Sequence, residues 1–329
     1  MTFPWKPGRP QLGMNVYWQD NREDSEEVLR AKARRIVDYI VTLDANSVAI
    51  SFPFFTSGPL ASEVYAGAST PSPRRVGIVL DEFHRSGLRS MLRPILDERS
   101  LLAAGIHNWR GNIRPASRDE WFTSYRRLLA PYVKAAHANH ATTFVIATEL
   151  NSLEGDPRWA GLVGESKRAF GGEIAYAVNW DNYVNRPIDM PVERFGIDAY
   201  FPLELGDGAS VSMLVAGWNR WLEQRTGGPL PGLILSEVGA PAENGAYHHP
   251  GVWGTAGGPL NLAVQKRWFT AACQVARQRA MAGLYWWKLD FHVDPARADP
   301  RSDMHDSFVG RPAEDAIQSC FSAWGSSSR

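Results

Sequence analysis

Apolar and polar positions along the chain follow two different periods. Eight short runs, rich in branched and aromatic residues, have the length of buried strands; they cover 11–18, 47–55, 88–96, 142–150, 172–180, 194–201, 232–239 and 282–291. Between them, apolar residues recur three and four positions apart, which is typical of helices with one buried face. The clearest such segments are 25–43 and 118–140, and weaker ones cover 73–87, 157–170, 209–225, 259–280 and 312–323. The stretch 181–193 is short and poorly helical.

Eight strand candidates alternating with helices over 329 residues favour parallel βα units throughout. Ser25 and Ser117 stand where helix N-caps belong, each followed by acidic residues in the first turn. A doubly wound sheet is the alternative, but neither GxGxxG nor GxxxxGK[ST] follows any strand. The pattern therefore predicts one α/β domain over residues 1–329, a closed (β/α)8 TIM barrel.

Two strand candidates run into a glutamate, FVIATELN at 144–151 and LILSEVGA at 233–240. A glutamate is rarely buried, because its charge is costly to remove from water. In a TIM barrel the C-terminal strand ends form the cleft. Side chains alternate along a strand, so each glutamate should share a face with residues two and four positions earlier: Val145 and Ala147 for Glu149, Leu233 and Leu235 for Glu237. If those faces line the barrel, both carboxylates meet at one mouth.

Glu149 and Glu237 together match the requirement of glycoside cleavage. One carboxyl group protonates the leaving oxygen, and the other stays ionised and attacks the anomeric carbon. The alternative is structural, with each glutamate in an ion pair with a neighbouring arginine. Their paired positions at strand ends favour the catalytic interpretation.

Several motifs carry a resemblance to a known enzyme family. SEVG (236–239) resembles the nucleophile motif [ST]-E-x-G of clan A glycoside hydrolases, and TEL (148–150) resembles their acid/base position. The chain is similar in particular to glycoside hydrolase family 113, from about residue 12 to residue 323. The similar stretches are GMNVYW, LRPILD, ATELNSLE, VNW, GIDAYFPL, LSEVGAP, YWWKLDF and FVGRPAED.

This resemblance implies a (β/α)8 barrel and a retaining mechanism that needs no cofactor. It also implies activity on β-mannosidic linkages, mainly as an endo-β-1,4-mannanase. Glu237 matches the nucleophile and Glu149 the general acid/base of the family. Tyr200 matches the donor beside the nucleophile, and the tryptophan under the sugar matches Trp286 or Trp287.

Other candidate substrate-binding residues lie at strand ends. Trp18 and Trp180 are expected to offer flat faces to sugar rings. Arg93 is expected to hold a sugar hydroxyl or to steer Glu237, with a buried pair to Asp97 or Asp198 as the alternative. Most clan A enzymes have an asparagine immediately before the acid/base; this chain has Thr148 there, and Asn151 is the candidate to replace it.

Composition narrows the choice of partners. Lys plus Arg (35) equals Asp plus Glu (35), and basic residues do not cluster with aromatic ones, so nucleic acid is not expected as a partner. The expected partner is the oligo- or polysaccharide substrate that the glutamate pair and the resemblance imply. No apolar run approaches the ~20 residues of a transmembrane helix, and MTFPWKPGRP does not resemble a secretory signal. The two cysteines, Cys273 and Cys320, are too few for a disulfide framework. These features favour a reduced, cytoplasmic enzyme without membrane attachment.

Alternatives remain open at this stage. Another β-linked glycan could be the substrate of the same machinery, and a non-catalytic barrel could bind carbohydrate through the 13 tryptophans. A metal-dependent hydrolase is disfavoured, because His248 and His249 are adjacent and point apart, and no HExxH motif accompanies them. The loop that holds them is instead expected to offer Tyr247 or Trp253 to substrate.

Overall fold

The computed structural model describes residues 4–105, 107–252, 258–302 and 306–326. The strands in this part of the chain are β1 (Gln11–Tyr17), β2 (Ser47–Thr56), β3 (Val64–Tyr65), β4 (Arg89–Leu96), β5 (Thr143–Thr148), β6 (Glu173–Asn179), β7 (Arg194–Asp198), β8 (Ile234–Val238) and β9 (Gly283–Asp290). The α-helices are α1 (Glu26–Thr42), α2 (Pro73–Arg85), α3 (Arg99–Ala103), α4 (Arg118–Ala138), α5 (Arg158–Phe170), α6 (Trp180–Asn185), α7 (Val211–Glu223), α8 (Leu262–Gln278) and α9 (Ala313–Ser326). Short 3₁₀ helices cover Arg110–Asn112, Asn151–Leu153 and Pro295–Arg297.

The predicted barrel is confirmed. The strands pair in the order β1-β9-β8-β7-β6-β5-β4-β2, and the further pairing of β1 with β2 closes the ring. Every pairing within the ring is parallel. β3 lies outside the ring and pairs antiparallel with the end of β2. All C-terminal strand ends therefore face one mouth, as in other (β/α)8 barrels.

Alternation along the strands divides the apolar residues into two layers. A small inner cluster comes from six strands: Ala49, Met91, Val145, Ala175, Ala177, Ile234 and Tyr285. The larger cluster lies outside, between strands and helices. The Tyr285 ring crosses the interior so closely that a Cβ on Gly13 would lie 2.2 Å from its Cδ1 atom, which explains why β1 carries a glycine there.

The two strongest helix predictions are also confirmed. The Oγ atom of Ser25 accepts a hydrogen bond from the backbone N of Val28, and Ser117 caps α4 in the same way. The stretch 181–193 contains little helix, since α6 ends at Asn185. None of the described helices is long and apolar enough to cross a membrane.

The expectation of two reduced cysteines was wrong. Cys273 on α8 and Cys320 on α9 form a disulfide bond. They are 47 positions apart in sequence, so only the packing of the last helix against α8 brings them together. Counting cysteines argued correctly against a multi-bridge framework, but it could not exclude one bridge between neighbouring helices.

Candidate active site

Glu237, in β8, lies at the barrel mouth between two hydrogen-bond donors. Its Oε1 atom accepts from Arg93 Nη2 at 2.9 Å, and its Oε2 atom accepts from the Tyr200 hydroxyl at 2.6 Å. The residue is only 4% exposed. A charged donor on one oxygen and a hydroxyl donor on the other fix the orientation of this buried carboxylate.

Arg93, in β4, is fully buried and joins several strands beneath the mouth. Its guanidinium donates to Asn15 Oδ1 at 2.9 Å, to the Ser236 carbonyl at 3.2 Å and to both carboxylate oxygens of Asp198. A guanidinium presents several donors in a rigid plane, so these bonds fix its orientation toward Glu237.

Asp198 ends β7 and adds a third carboxyl group to this network. It accepts a hydrogen bond from the Ser236 hydroxyl at 2.6 Å. Burial, reinforced by the neighbouring charge of Glu237, raises the pKa of Asp198 to about 7, although Arg93 and the Ser236 hydroxyl oppose the rise. The mouth therefore holds a carboxyl group that changes charge near neutral pH.

Glu149 follows β5 and lies in a different electrostatic environment from Glu237. Its carboxylate pairs with Arg110 Nη1 at 2.9 Å. Burial raises its pKa well above the ordinary value; Arg110 opposes this, and the charges of Asp198 and Glu237 add to it. A carboxyl group in this state is protonated at higher pH than usual, which is what a general acid requires.

Strict alternation was the wrong reason for expecting the two glutamates at the mouth. Ile234 belongs to the inner cluster and Leu235 to the outer one, so regular alternation would have turned Glu237 outward. Pairing between β7 and β8 shifts after Ile197 opposite Leu235, and resumes with Asp198 opposite Glu237. This β-bulge redirects the side chain into the network of Arg93.

A second irregularity brings Glu149 to the mouth. The register between β5 and β6 shifts between Val145 and Ala147, so that Thr148 pairs with the inner-cluster residue Ala177. Glu149 itself has φ of 52°, in the left-handed region, while its backbone N–H still donates to the Ala177 carbonyl. Non-glycine residues rarely adopt this conformation, and strained backbone of this kind concentrates at functional sites.

The opposite end of the barrel holds a separate cavity. It has a volume of about 1470 Å³ and is lined by residues at the N-terminal strand ends, among them Gln11, Arg89, Glu173 and Arg194. Glu173 accepts hydrogen bonds from Arg89 and Arg194, a network that ties strands together. Catalytic groups of this fold lie at the other end, so the carboxyl groups at the mouth mark the candidate active site.

Comparison with known proteins agrees with this geometry. The model of Glycoside Hydrolase Family 113 matches residues 18–308. The chain belongs to this family. It is therefore a glycoside hydrolase, and its substrate is a carbohydrate.

Solved structures similar to this family 113 chain include mannan-active enzymes. The β-mannanase AaManA from Alicyclobacillus acidocaldarius is 21% identical, with 96% of this chain and 98% of that chain covered and a TM-score of 0.78. Another family 113 β-1,4-mannanase is 18% identical, with 94% and 98% covered and a TM-score of 0.77. An exo-β-1,4-mannosidase from Opitutaceae bacterium strain TAV5 is 12% identical, with 96% and 60% covered and a TM-score of 0.55. At these identities the likeness establishes the fold, and no curated protein matches the chain.

Two of the predicted sugar platforms in this family 113 chain are covered by protein. Trp18 is fully buried, with its ring 4.6 Å from that of Phe291, because it alternates onto the outer face with Val16. Trp286 is also fully buried and stacks on Phe269 of α8 at 4.5 Å. Neither ring offers a free face, so the prediction that they contact sugar is wrong in this structure.

Of the two tryptophans in β9, Trp287 is the one that lies toward the mouth. It is partly exposed, and its ring lies 5.8 Å from that of Tyr17 at the end of β1. Tyr17 shares the inner face with Gly13 and Asn15, so Trp287 lies at the mouth. Trp180, at the start of α6, is also partly exposed and packs edge-on against Trp221 at 5.0 Å.

The polar side chains predicted to contact the substrate are largely buried in the structure. Arg93 steers Glu237 and pairs with Asp198, but its complete burial excludes direct contact with sugar. Asn151 is 7% exposed and donates to Asp181 at 3.3 Å. In the described part of the chain, the Thr148 hydroxyl has no hydrogen-bond partner. The Oγ1 atom of Thr148 and the Oδ1 atom of Asn151 are therefore two buried oxygens close in sequence to Glu149 that accept no hydrogen bond from the described residues.

The loop after β8 does not supply the expected tyrosine. Tyr247 is fully buried and stacks on Trp268 of α8, so that prediction is wrong. His248 lies 3.2 Å from Glu204. Trp253, the other candidate, lies outside the described residues.

Sequence inspection missed two functional contributors. Arg110 lies in the loop after β4, where nothing in the local pattern marks it as a partner of Glu149. Asn15 holds the Arg93 guanidinium and donates through Nδ2 to the Ser236 carbonyl at 2.8 Å. A polar side chain on the inner face of an apolar strand was an available signal for Asn15.

Proposed function

We propose that this family 113 enzyme is a retaining glycosidase that cleaves β-mannosidic linkages in β-1,4-mannan or manno-oligosaccharides. The observation that carries the proposal is the contrast between two buried carboxyl groups at one mouth. Glu237 accepts hydrogen bonds from Arg93 on one oxygen and from Tyr200 on the other, whereas Glu149 pairs, among the described residues, with Arg110 alone and burial raises its pKa. Two of the similar structures are β-mannanases, which supports the choice of sugar.

The reaction proceeds by double displacement. A Glu237 carboxylate oxygen attacks the anomeric carbon while the bond from that carbon to the leaving oxygen breaks. Glu149 transfers its proton to the leaving oxygen, which departs as a hydroxyl group, and a glycosyl ester on Glu237 remains. Glu149, now a carboxylate, removes a proton from water, and the water oxygen displaces Glu237. The product keeps the β configuration, and no cofactor takes part in these steps.

Arg93, Tyr200 and Arg110 support these two steps without reacting themselves. Arg93 and Tyr200 orient Glu237 and disperse its charge in the resting enzyme. Arg110 stabilises the Glu149 carboxylate that forms after proton transfer. Trp287 and Trp180 are proposed to contact the sugar through their accessible ring faces, and Asn151 or Thr148 through the oxygens noted above.

Azide rescue separates the two roles. With Glu149→Ala, turnover of a mannan oligosaccharide should fall at least about a hundredfold, whereas formation of the glycosyl-enzyme from a dinitrophenyl β-mannoside should fall much less. Azide attacks the glycosyl-enzyme without a base, so it should restore turnover and give the β-mannosyl azide. Glu237→Ala should lose activity on both substrates, and azide should give the α-azide.

Glu120→Ala is the control for these variants, since Glu120 is an exposed carboxylate on α4, and it should behave as wild type. If the azide products are interchanged, so are the two roles. If neither glutamate variant loses a hundredfold in turnover, the pair is not catalytic. Parallel assays with aryl β-glucoside and β-galactoside test the alternative that another β-linked glycan is the substrate.

The predicted cytoplasmic location needs its own test. One of its supports was the expectation of reduced cysteines, since disulfides are rare in reducing compartments. The bond between Cys273 and Cys320 removes that support. Thiol labelling of the protein taken directly from its source cells decides: free thiols retain the cytoplasmic prediction, and a protected pair rejects it.

A further inference from the structure

An aromatic group lies on the rim of the mouth, outside the catalytic network. Tyr65, in β3, is 48% exposed, and its ring stacks on Phe55 of β2 with 6.1 Å between centroids. Phe55 alternates with the inner-cluster residue Ala49 along β2, so it lies on the face that leads into the mouth. Tyr65 therefore presents a large, accessible ring at the mouth of the barrel.

The exposed ring is built on a firm support. Val64, beside Tyr65, is tied to α4 by two hydrogen bonds with the Ser124 hydroxyl. The side chain of Phe55 leaves no space on the Gly67 side, since a Cβ on Gly67 would lie 2.5 Å from Phe55 Cδ2. The backbone beside Tyr65 and the Phe55 ring on which it stacks are thus both held in place, which lowers the entropy cost of binding a ligand there.

A cation accompanies the aromatic pair. The guanidinium of Arg99 lies 5.1 Å from the centre of the Phe55 ring, and its side chain is 60% exposed. Its Nε atom donates to Asp97 Oδ1 at 2.9 Å and its Nη2 atom to Ser69 Oγ at 3.4 Å, and the side chain remains largely exposed. An aromatic face beside hydroxyl-binding donors matches the C–H-rich face and the hydroxyl groups of a pyranose ring.

This group is continuous with the candidate active site. Asp97 links Arg99 to the Tyr17 hydroxyl, whose hydrogen bond to Oδ2 is 3.5 Å long. Tyr17 in turn lies 5.8 Å from Trp287. The aromatic residues thus follow neighbouring elements around the mouth, from β9 through β1 to β2 and β3. Trp287 and Tyr65 therefore stand on the same side of the mouth, three strands apart around the ring and its β3 extension.

We infer that Tyr65, supported by Phe55 and Arg99, forms a distal sugar-binding subsite of this enzyme, occupied by one unit of an extended glycan. The inference rests on the proposed function for the identity of the sugar. It implies that a long chain gains binding from this subsite, whereas a substrate with a single sugar unit does not reach it.

Chain-length dependence tests this subsite. Tyr65→Ala should raise the KM for mannohexaose about 3- to 10-fold, the range expected for loss of one aromatic contact, and should leave the KM for an aryl β-mannoside unchanged. Tyr65→Phe keeps the ring and should match wild type. Met213→Ala is a control of equal exposure, since Met213 is 49% exposed on α7, on the opposite side of the barrel. Equal effects of Tyr65→Ala on both substrates, or no effect on either, overturn the proposal.

Two further measurements keep the result decisive. If Tyr65→Ala fails to fold, Tyr65→Trp enlarges the platform and should lower the KM for mannohexaose; an unchanged or higher KM counts against the subsite. Binding of mannohexaose, cellohexaose and xylohexaose by calorimetry, in a Glu237→Gln background, separates this proposal from the proposed function. If Tyr65→Ala weakens the binding of any of these glycans, the subsite is supported, even if the wild-type enzyme hydrolyses no mannoside. If Tyr65→Ala leaves the affinity for all three glycans unchanged, the subsite is rejected.

Discussion

Arg110 and Glu149 illustrate how one residue sets the pKa of another. Burial alone would make Glu149 hard to ionise, and the nearby charges of Asp198 and Glu237 act in the same direction. Arg110 is the main opposing influence, through its 2.9 Å ion pair with the carboxylate. In the proposed mechanism Glu149 gives up its proton and later takes one from water, so its pKa has to lie near the working pH.

Replacing Arg110 should move the alkaline limb of the activity profile. A general acid must be protonated, so kcat/KM falls as pH rises through the pKa of Glu149. Arg110→Gln removes the charge that lowers this pKa, so the limb should move to higher pH. Arg110→Lys keeps a charge and should move it less. The measurement is kcat/KM for an unactivated β-mannoside across pH, with Arg114→Gln in the same loop as the control. A limb that stays in place or moves to lower pH contradicts the assigned role.

At the scale of elements, irregularities in the strands matter more than their regular parts. The register shifts in β5 and β8 place Glu149 and Glu237 at the mouth, where regular alternation would have failed for Glu237. Helices α8 and α9, on the outside of the barrel, pack side by side and are linked by the disulfide between Cys273 and Cys320. This bond holds the last helix against the barrel, where Phe321 lies 6.4 Å from Trp286.

Loss of the disulfide should lower stability without abolishing activity. A crosslink between residues 47 positions apart restricts the unfolded chain, and such bonds typically contribute about 2–4 kcal/mol. The double variant Cys273→Ser with Cys320→Ser should lower the free energy of unfolding by that amount in urea titrations. Reductant should lower it equally in wild type and not at all in the variant. Equal urea midpoints with and without reductant in wild type would mean that the bond contributes nothing.

At the scale of the whole molecule, barrel closure gathers carboxyl groups that are far apart in sequence. Glu149 follows β5, Asp198 and Glu237 belong to β7 and β8, and Arg93 of β4 bonds to the last two. Bringing such charges out of water costs stability, and the proposed catalytic role would account for their presence. The cost should be visible in how stability depends on pH.

Asp198 should make the enzyme less stable as pH rises toward neutrality. Its pKa is about 7 in the folded protein and near 4 in the unfolded chain, so between these values the folded state binds more protons. By linkage, the favourable contribution is fully present below about pH 4 and is lost as pH rises through about 7. Urea unfolding at pH 5 and pH 8 should show this decline, and Asp198→Asn should reduce it. Asp38→Asn, at an exposed position on α1, serves as the control and should leave the decline unchanged.

The sequence by itself determined the barrel, because period-two and period-3.6 patterns report directly which faces are buried. It also marked Glu149 and Glu237 as candidate catalytic residues, since a charged residue at the end of a buried strand needs a reason to be there. The tertiary structure decided what depends on neighbours distant in the chain. Burial of Trp18 and Trp286 depends on which helix covers each face, and Arg110 reaches Glu149 only through a loop that local patterns do not specify. Bulges, ion pairs and the disulfide are likewise set by packing between elements, and the periodicity of a single element carries no record of them.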